Sequence, residues 1–210
     1  MFKVITPENS ATSSISGLTI FLVGPILDAP KEHYEKILKR LEELAVSKEM
    51  NLTVLTARVK DVEHSDESLR EHHLENHEWI KSQFESALQQ GVVLFYFPKR
   101  ISTTVEKYAL VAERQLSIAL FSHRIQASRV VLFAELGYEF DQYLEKDLQK
   151  CTLVARNHTI AKACDIAVTL ARRRAHGYTR FVIDHYGNGI HNLQASDDEV
   201  SVKQSSTVED

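Results

Sequence analysis

Hydrophobic positions along this chain switch between two periods. Leu18-Thr19-Ile20-Phe21-Leu22-Val23 is a nearly unbroken apolar run stopped by Gly24-Pro25. Such a run, ended by a breaker, predicts a strand buried on both faces of a parallel sheet. From Pro30 to Val46 the spacing changes. Tyr34, Ile37, Leu38, Leu41 and Leu44 fall on one stripe, which predicts a helix. The alternation then repeats. Leu52–Leu55 predicts a strand, residues 57–66 a polar loop, and Leu69–Gln90 a helix. Val92-Val93-Leu94-Phe95-Tyr96-Phe97, closed by Pro98, is the strongest strand pattern in the chain. Residues 103–122 read as a helix, and Phe133–Tyr143 as another, entered through Val130-Val131-Leu132. Cys151–Ala155 predicts a strand, Ala161–Arg173 a helix and Tyr178–Asp184 a last strand. Strands alternating with helices predict one three-layer α/β domain around a parallel sheet, over residues 17–194. The Ser- and Thr-rich residues 1–16 read as a flexible arm.

In such sheets ligands sit beyond the carboxyl ends of the strands, where the strand order reverses. That directs attention to the loops after Val23 and Phe97 and to the stretch around Glu135.

Composition narrows the class. The net charge of −4 is carried entirely by residues 195–210, whose acids outnumber Lys203 and which read as a disordered acidic tail. The rest of the chain is neutral by the same count, without the basic stripe of a protein that binds polymeric nucleic acid. Two cysteines exclude a disulfide framework and a Cys-based zinc cluster, and suit a reduced compartment. No apolar run approaches the roughly 20 residues of a membrane span, and the N-terminus lacks an apolar leader, so the expected setting is cytoplasmic.

Two places carry candidate chemistry. Gly24, followed by Pro25 and Ile26, lets a ligand approach the backbone after the first strand, or simply stops the strand. Phe133-Ala134-Glu135-Leu136-Gly137-Tyr138-Glu139 places Glu135 in a first helical turn, with Tyr138 on the same face. The same residues equally describe a solvated first-turn carboxylate. His73 and His77 lie four apart, but without a third ligand at a telling spacing no metal is expected. Arg114, His123, Arg124 and Arg129 offer positive charge for a phosphate, or a solvated helix face. Cys151 starts a buried strand and reads as inert. Tyr186-Gly187-Asn188-Gly189 reads as a turn.

Three pieces occur in one order: Ile20-Phe21-Leu22-Val23-Gly24-Pro25, then Val92 to Pro98, then Ala134-Glu135-Leu136-Gly137-Tyr138 ahead of Cys151–Ala155. In this the chain resembles the nucleoside 2-deoxyribosyltransferase family and its nucleotide-hydrolase relatives. The resemblance spans roughly residues 18–155 and is most specific at E-L-G-Y. It implies a flavodoxin-like sheet and cleavage of the bond between a base and a deoxyribose. It also implies a homo-oligomer, a small nucleoside or nucleotide as substrate, and no cofactor. The family's helix-borne Glu nucleophile maps to Glu135, with Tyr138 beside it. Phe21, Gly24, Pro25, Ile26, Trp79, Gln83 and Pro98 map to the substrate pocket. Where the family places an Asp before the third strand, this chain has Ser82 and Gln83, with Glu85 nearby. Residues 99–129 form an insertion whose Glu106 is a second candidate nucleophile. The competing reading is a catalytically silent nucleotide-binding or regulatory module on the same fold.

Overall fold

The computed structural model describes residues 1–12, 17–25, 31–58, 74–99, 109–125, 130–150, 155–157, 159–175, 181–183 and 190–192. Six strands form the main sheet: β1 (Phe2–Ile5), β2 (Leu18–Val23), β3 (Leu52–Thr56), β4 (Val92–Phe97), β5 (Val130–Ala134) and β6 (Ala155–Asn157). The helices are α1 (Lys31–Ser47), α2 (His77–Gln90), α3 (Leu110–Ile125), α4 (Gln142–Lys150) and α5 (Ile160–Ala175). The strand order is β1-β3-β2-β4-β5-β6, and every pairing is parallel. With the edge strand β1 set aside, the other five strands follow the 2-1-3-4-5 order of the flavodoxin-like fold. The α/β class and the parallel sheet expected from the pattern are therefore present. Among the described residues no helix is long and apolar enough to cross a membrane.

The period of two sorts each strand between two cores. Ile20 and Leu22 of β2, Leu94 and Tyr96 of β4, and Val131 and Phe133 of β5 point to the side covered by α1 and α5. Phe21 and Val23, Val93, Phe95 and Phe97, and Leu132 and Ala134 point to the side covered by α2, α3 and α4. Both cores are continuous and apolar, which is why these strands read as unbroken hydrophobic runs rather than alternating ones. Arg40 of α1 reaches Asp165 of α5 at 2.9 Å, tying the two helices of the first layer together across their solvent edge.

Several elements differ from the sequence reading. Residues 2–5 are not a loose arm. They form the edge strand β1, in register with β3 from Phe2 opposite Leu52 to Ile5 opposite Leu55. The Met1 ammonium anchors it, donating to the Met50 carbonyl at 2.9 Å. Pro7–Thr12 follows as a 3-10 helix. The stretch 133–143 is not a helix. Phe133 and Ala134 complete β5, and α4 starts only at Gln142, where Asp141 accepts the Tyr143 N–H at 2.8 Å as its cap. Phe181–Ile183 does not join the main sheet. It is strand β7, paired antiparallel with β8 (Ile190–Asn192) as a separate ribbon. The strand expected at Cys151–Ala155 is described only from Ala155 onward. Cys151, the turn around Tyr186 and Asn188, and the acidic tail 195–210 lie outside the described residues.

Gly24 and Gly137 are both dictated by the fold, for different reasons. A Cβ on Gly24 would fall inside the ring of Tyr96, a fully buried side chain on the neighbouring strand. Gly137 has open space around it but sits at φ +88°, a conformation that L side chains rarely adopt. Gly24→Ala is therefore expected to lower the unfolding free energy by about 1–3 kcal/mol, as overpacking does. Gly137→Ala is expected to lower it by about 1 kcal/mol through backbone strain alone. Urea denaturation of both variants separates these costs, and a Gly24→Ala protein as stable as the parent would contradict the ring packing.

Candidate active site at the carboxyl edge of the sheet

The strand order reverses between β2 and β4, and a shallow cleft opens there. Phe21, Gly24 and Pro25 from the end of β2 line it, with Thr56, Ala57 and Arg58 from the end of β3. Tyr96, Ile80 of α2, and Val111 and Gln115 of α3 complete the walls. Phe21, Gly24 and Pro25, expected at a substrate pocket, are among the residues that line this cleft. The reason given for Gly24 needs correcting: the missing side chain makes room for the Tyr96 ring, not for a ligand. Pro98 is buried, and Trp79 packs partly buried against the second core; neither lines the cleft, and Ile80 does instead. Gln83 is half-buried on α2, while Ser82 and Glu85 are exposed on the same helix. Ile26, Glu106, His73 and Arg129 lie outside the described residues, and Arg114 is exposed on α3. His77 lies 3.8 Å from Glu78 on an exposed helix face, and the described residues contain no cluster fit to hold a metal ion.

Arg58 was missed because the polar stretch after β3 reads as a generic loop. The parallel register of β2 and β3 brings the ends of both strands to the same cleft, which makes the first residues after β3 part of it. The guanidinium of Arg58 stacks over the Tyr34 ring, 5.2 Å from its centroid. Its Nη1 donates to the Tyr96 hydroxyl at 3.3 Å. Tyr34 in turn donates to the Arg58 carbonyl at 3.4 Å. Burial pushes the Tyr34 phenol up to about 12, and the neighbouring Tyr96 and Glu8 push the same way against Thr56 and Arg58. Burial raises Tyr96 as well. Both phenols are neutral partners for the cation over the whole physiological range.

Glu135 stands one residue past β5 and is not among the residues that line the cleft. Its N–H donates to the Phe97 carbonyl at 3.0 Å, so it continues the β4–β5 ladder before the chain turns. Its Oε2 accepts the backbone N–H of Lys99 at 2.7 Å and lies 3.6 Å from Nε2 of His33, in the first turn of α1. The His33 ring stacks on Phe133 with centroids 6.4 Å apart, and its buried Nδ1 has no hydrogen-bond partner among the described residues. The glutamate side chain keeps 38% of its surface exposed.

Glu135 is not in a helix, and Tyr138 is not its partner. Residues 135–138 form a β-turn, closed by the Tyr138 N–H on the Glu135 carbonyl at 2.9 Å, with Gly137 at the positive φ of its third position. The turn sends the two side chains to opposite sides of the sheet. Glu135 meets His33 on the α1 side, while Tyr138 packs on Phe97 and Phe140, with centroids 5.1 and 4.8 Å away. The Tyr138 hydroxyl donates instead to Oε1 of Glu113, in the first turn of α3, at 2.7 Å. Glu113 is a carboxylate at this end of the sheet that sequence reasoning did not single out. Its signal was present as an acid early in a helix that follows the strongest strand.

The buried phenol of Tyr34 makes a pH prediction. Its folded pKa of about 12 stands above the ordinary 10, so its contribution is complete below pH 10 and is lost as the pH rises toward 12. Stability should fall over that window by up to about 1.4 kcal/mol per pH unit for this one proton. Tyr34→Phe should flatten that alkaline loss in urea denaturation at a series of pH values, and an unchanged slope would show that Tyr34 is not the group concerned.

Compared with known protein families and with curated proteins, the chain gives no match.

Proposed function

We propose that this protein is a nucleoside deoxyribosyltransferase-like enzyme that cleaves or transfers the N-glycosidic bond of a deoxynucleoside or deoxynucleotide. The observation that supports this best is the state of Glu135. One carboxylate oxygen is fixed by a backbone N–H, and the side chain remains partly exposed at the carboxyl edge of a flavodoxin-like sheet. That is what a nucleophilic carboxylate needs: one oxygen held, the other presented. In the step, Oε1 attacks the anomeric carbon, the bond to the base nitrogen breaks, and the electron pair leaves with the base. Water or a second base then resolves the glycosyl-enzyme. The departing base needs a proton, and Ser82 and Gln83 supply none. His33, 3.6 Å from the same carboxylate, is the described residue placed to give it. The enzyme would work without a cofactor, as a homo-oligomer in the cytoplasm, where Cys164 stays a buried thiol.

A second reading makes Glu113 the nucleophile. Two observations favour it: it is helix-borne, as the resemblance implies, and a tyrosine hydroxyl holds it at 2.7 Å. Neither carboxylate lines the cleft; against Glu113, Val111 and Gln115 of its own helix do, and residue 113 points about 160° away from both at 100° per residue.

Glu135→Gln should lower turnover of the best deoxynucleoside or deoxynucleotide by several orders of magnitude while leaving the fold intact. Glu113→Gln should cost much less. A 2′-fluoro-deoxynucleoside should leave a sugar adduct on the peptide holding Glu135, read by mass spectrometry. An adduct on Glu113 moves the nucleophile to α3. Ligand binding without release of free base from any substrate points to a silent binding module.

His33→Gln should lower the rate about 10²- to 10⁴-fold on substrates with ordinary bases, the usual worth of a general acid. It should cost far less on a substrate whose leaving group needs no proton. Equal losses on both substrates would exclude the acid role.

A further inference from the structure

The cleft at the strand-order reversal has the size of a small-molecule site. Its empty space, mouth included, is about 380 Å³. Most of its walls are apolar: Phe21, Pro25, Ala57, Ile80 and Val111. Such walls suit a flat uncharged ring, which gains by leaving water. No carboxylate lines the cleft among the described residues, which disfavours a cationic ligand.

Two neutral polar side chains reach the cleft with hydrogen-bonding capacity left over. The first is Tyr96, only 2% exposed. Its hydroxyl oxygen accepts from Arg58 Nη1 at 3.3 Å, and its hydroxyl hydrogen has no acceptor among the described residues. Burial raises this phenol, so the hydrogen stays in place. A buried hydroxyl donor is stabilised when a ligand brings the acceptor. The second is Gln115 of α3, whose partly buried carboxamide makes no hydrogen bond to a described residue. The two come from opposite faces of the sheet. Tyr96 belongs to the core under α1 and α5, whereas α3 covers the other core. A ligand lying over the strand ends between them meets a hydroxyl donor on one edge and a carboxamide on the opposite edge.

A carboxamide presents an acceptor and a donor side by side. It makes two parallel hydrogen bonds to a ring edge that carries one donor next to one acceptor, such as an amino group beside a ring nitrogen. An edge with two acceptors would leave the amide carbonyl unpaired. Adenine has the required edge, and a further ring nitrogen on its opposite edge can accept from Tyr96.

We infer that this cleft binds an uncharged aminopurine ring, with Gln115 selecting the amino-bearing edge and Tyr96 donating to the opposite one. The ring site stands on the cleft alone. Joined to the glycosyl reading above, and resting on that reading only in this step, the ring is the base of the substrate, and α3 sets which base is accepted.

The test reads binding, so that it does not depend on turnover. Isothermal titration of the full chain compares adenine with purine, which lacks the amino group. Adenine should bind about 10-fold more tightly, the worth of one further neutral hydrogen bond. Gln115→Met keeps the length and removes the amide, and should close that gap. Should Gln115→Met fail to fold by circular dichroism, Gln115→Leu takes its place. Tyr96→Phe should weaken both rings by a similar factor, because the hydroxyl serves the edge they share. No preference for adenine in the wild-type protein, or a preference kept in a folded Gln115 variant, overturns the inference. A folded Tyr96→Phe that binds both rings as the wild type does overturns the two-edged site. Gln115-dependent binding of adenine with no base released from any deoxynucleoside upholds the site and overturns the glycosyl reading. Base release with no Gln115-dependent preference does the reverse.

Discussion

The contact between the Tyr96 ring and the backbone of Gly24 organises the carboxyl edge of this sheet. It joins the two strands at which the order reverses, and it holds only because residue 24 has no side chain. With the ring seated there, the Tyr96 hydroxyl reaches the end of β3 and receives Arg58. Arg58 in turn lies on Tyr34. Three strand ends and one helix are thus connected through one aromatic ring, its partner cation and a second ring. The burial that raises both phenols keeps them neutral, so the cation meets dipoles and a π face rather than a counter-charge from either tyrosine.

The pleat of β5 does comparable work on the other side of the reversal. Side chains alternate strictly along a strand, and β5 delivers Phe133 to the α1 side and Ala134 to the other. Glu135 keeps to the Phe133 side and meets His33. The turn at Gly137 then reverses the direction before Tyr138, which joins Phe97 and Phe140 beneath α3. A single positive φ therefore separates two residues that lie three apart in sequence. It gives the edge two carboxylates in different settings: Glu135 beside an imidazole and partly open, Glu113 under a tyrosine hydroxyl.

Much of this was legible in the chain. Buried parallel strands reveal themselves as unbroken apolar runs, so β2, β3 and β4 were placed within a residue, and α1 and α5 followed from their stripes. Gly24 and Pro25 followed from the rule about strand ends, and Phe21 came with the resemblance. The failures have physical causes. Glu135-Leu136-Gly137-Tyr138 has apolar spacing compatible with a helical turn, and nothing local says that Gly137 takes a left-handed conformation. Residues 2–5 are too few for periodicity to show, and they become a strand only because β3 offers an unpaired edge. Arg58, His33 and Glu113 are ordinary surface-type residues in sequence. Their roles come from which strand ends and helix starts the topology brings together.

Among the described residues that line the cleft, Arg58 is the charged one. A cleft walled by Phe21, Ile80 and Val111 screens a charge weakly, so each ionised group there acts strongly on any bound molecule. Arg58 and Glu135 have opposite signs, and adjacent residues of one helical turn hold them apart on separate contacts. Direct pairing would cancel both. Held apart, the two charges leave the sheet edge with both a positive and a negative field. A neutral, flexible surface provides neither field. The first turn of α1 is seated on Phe133 and Tyr96 through its own His33 and Tyr34, so the contacts of Glu135 and of Arg58 both run through one helical turn.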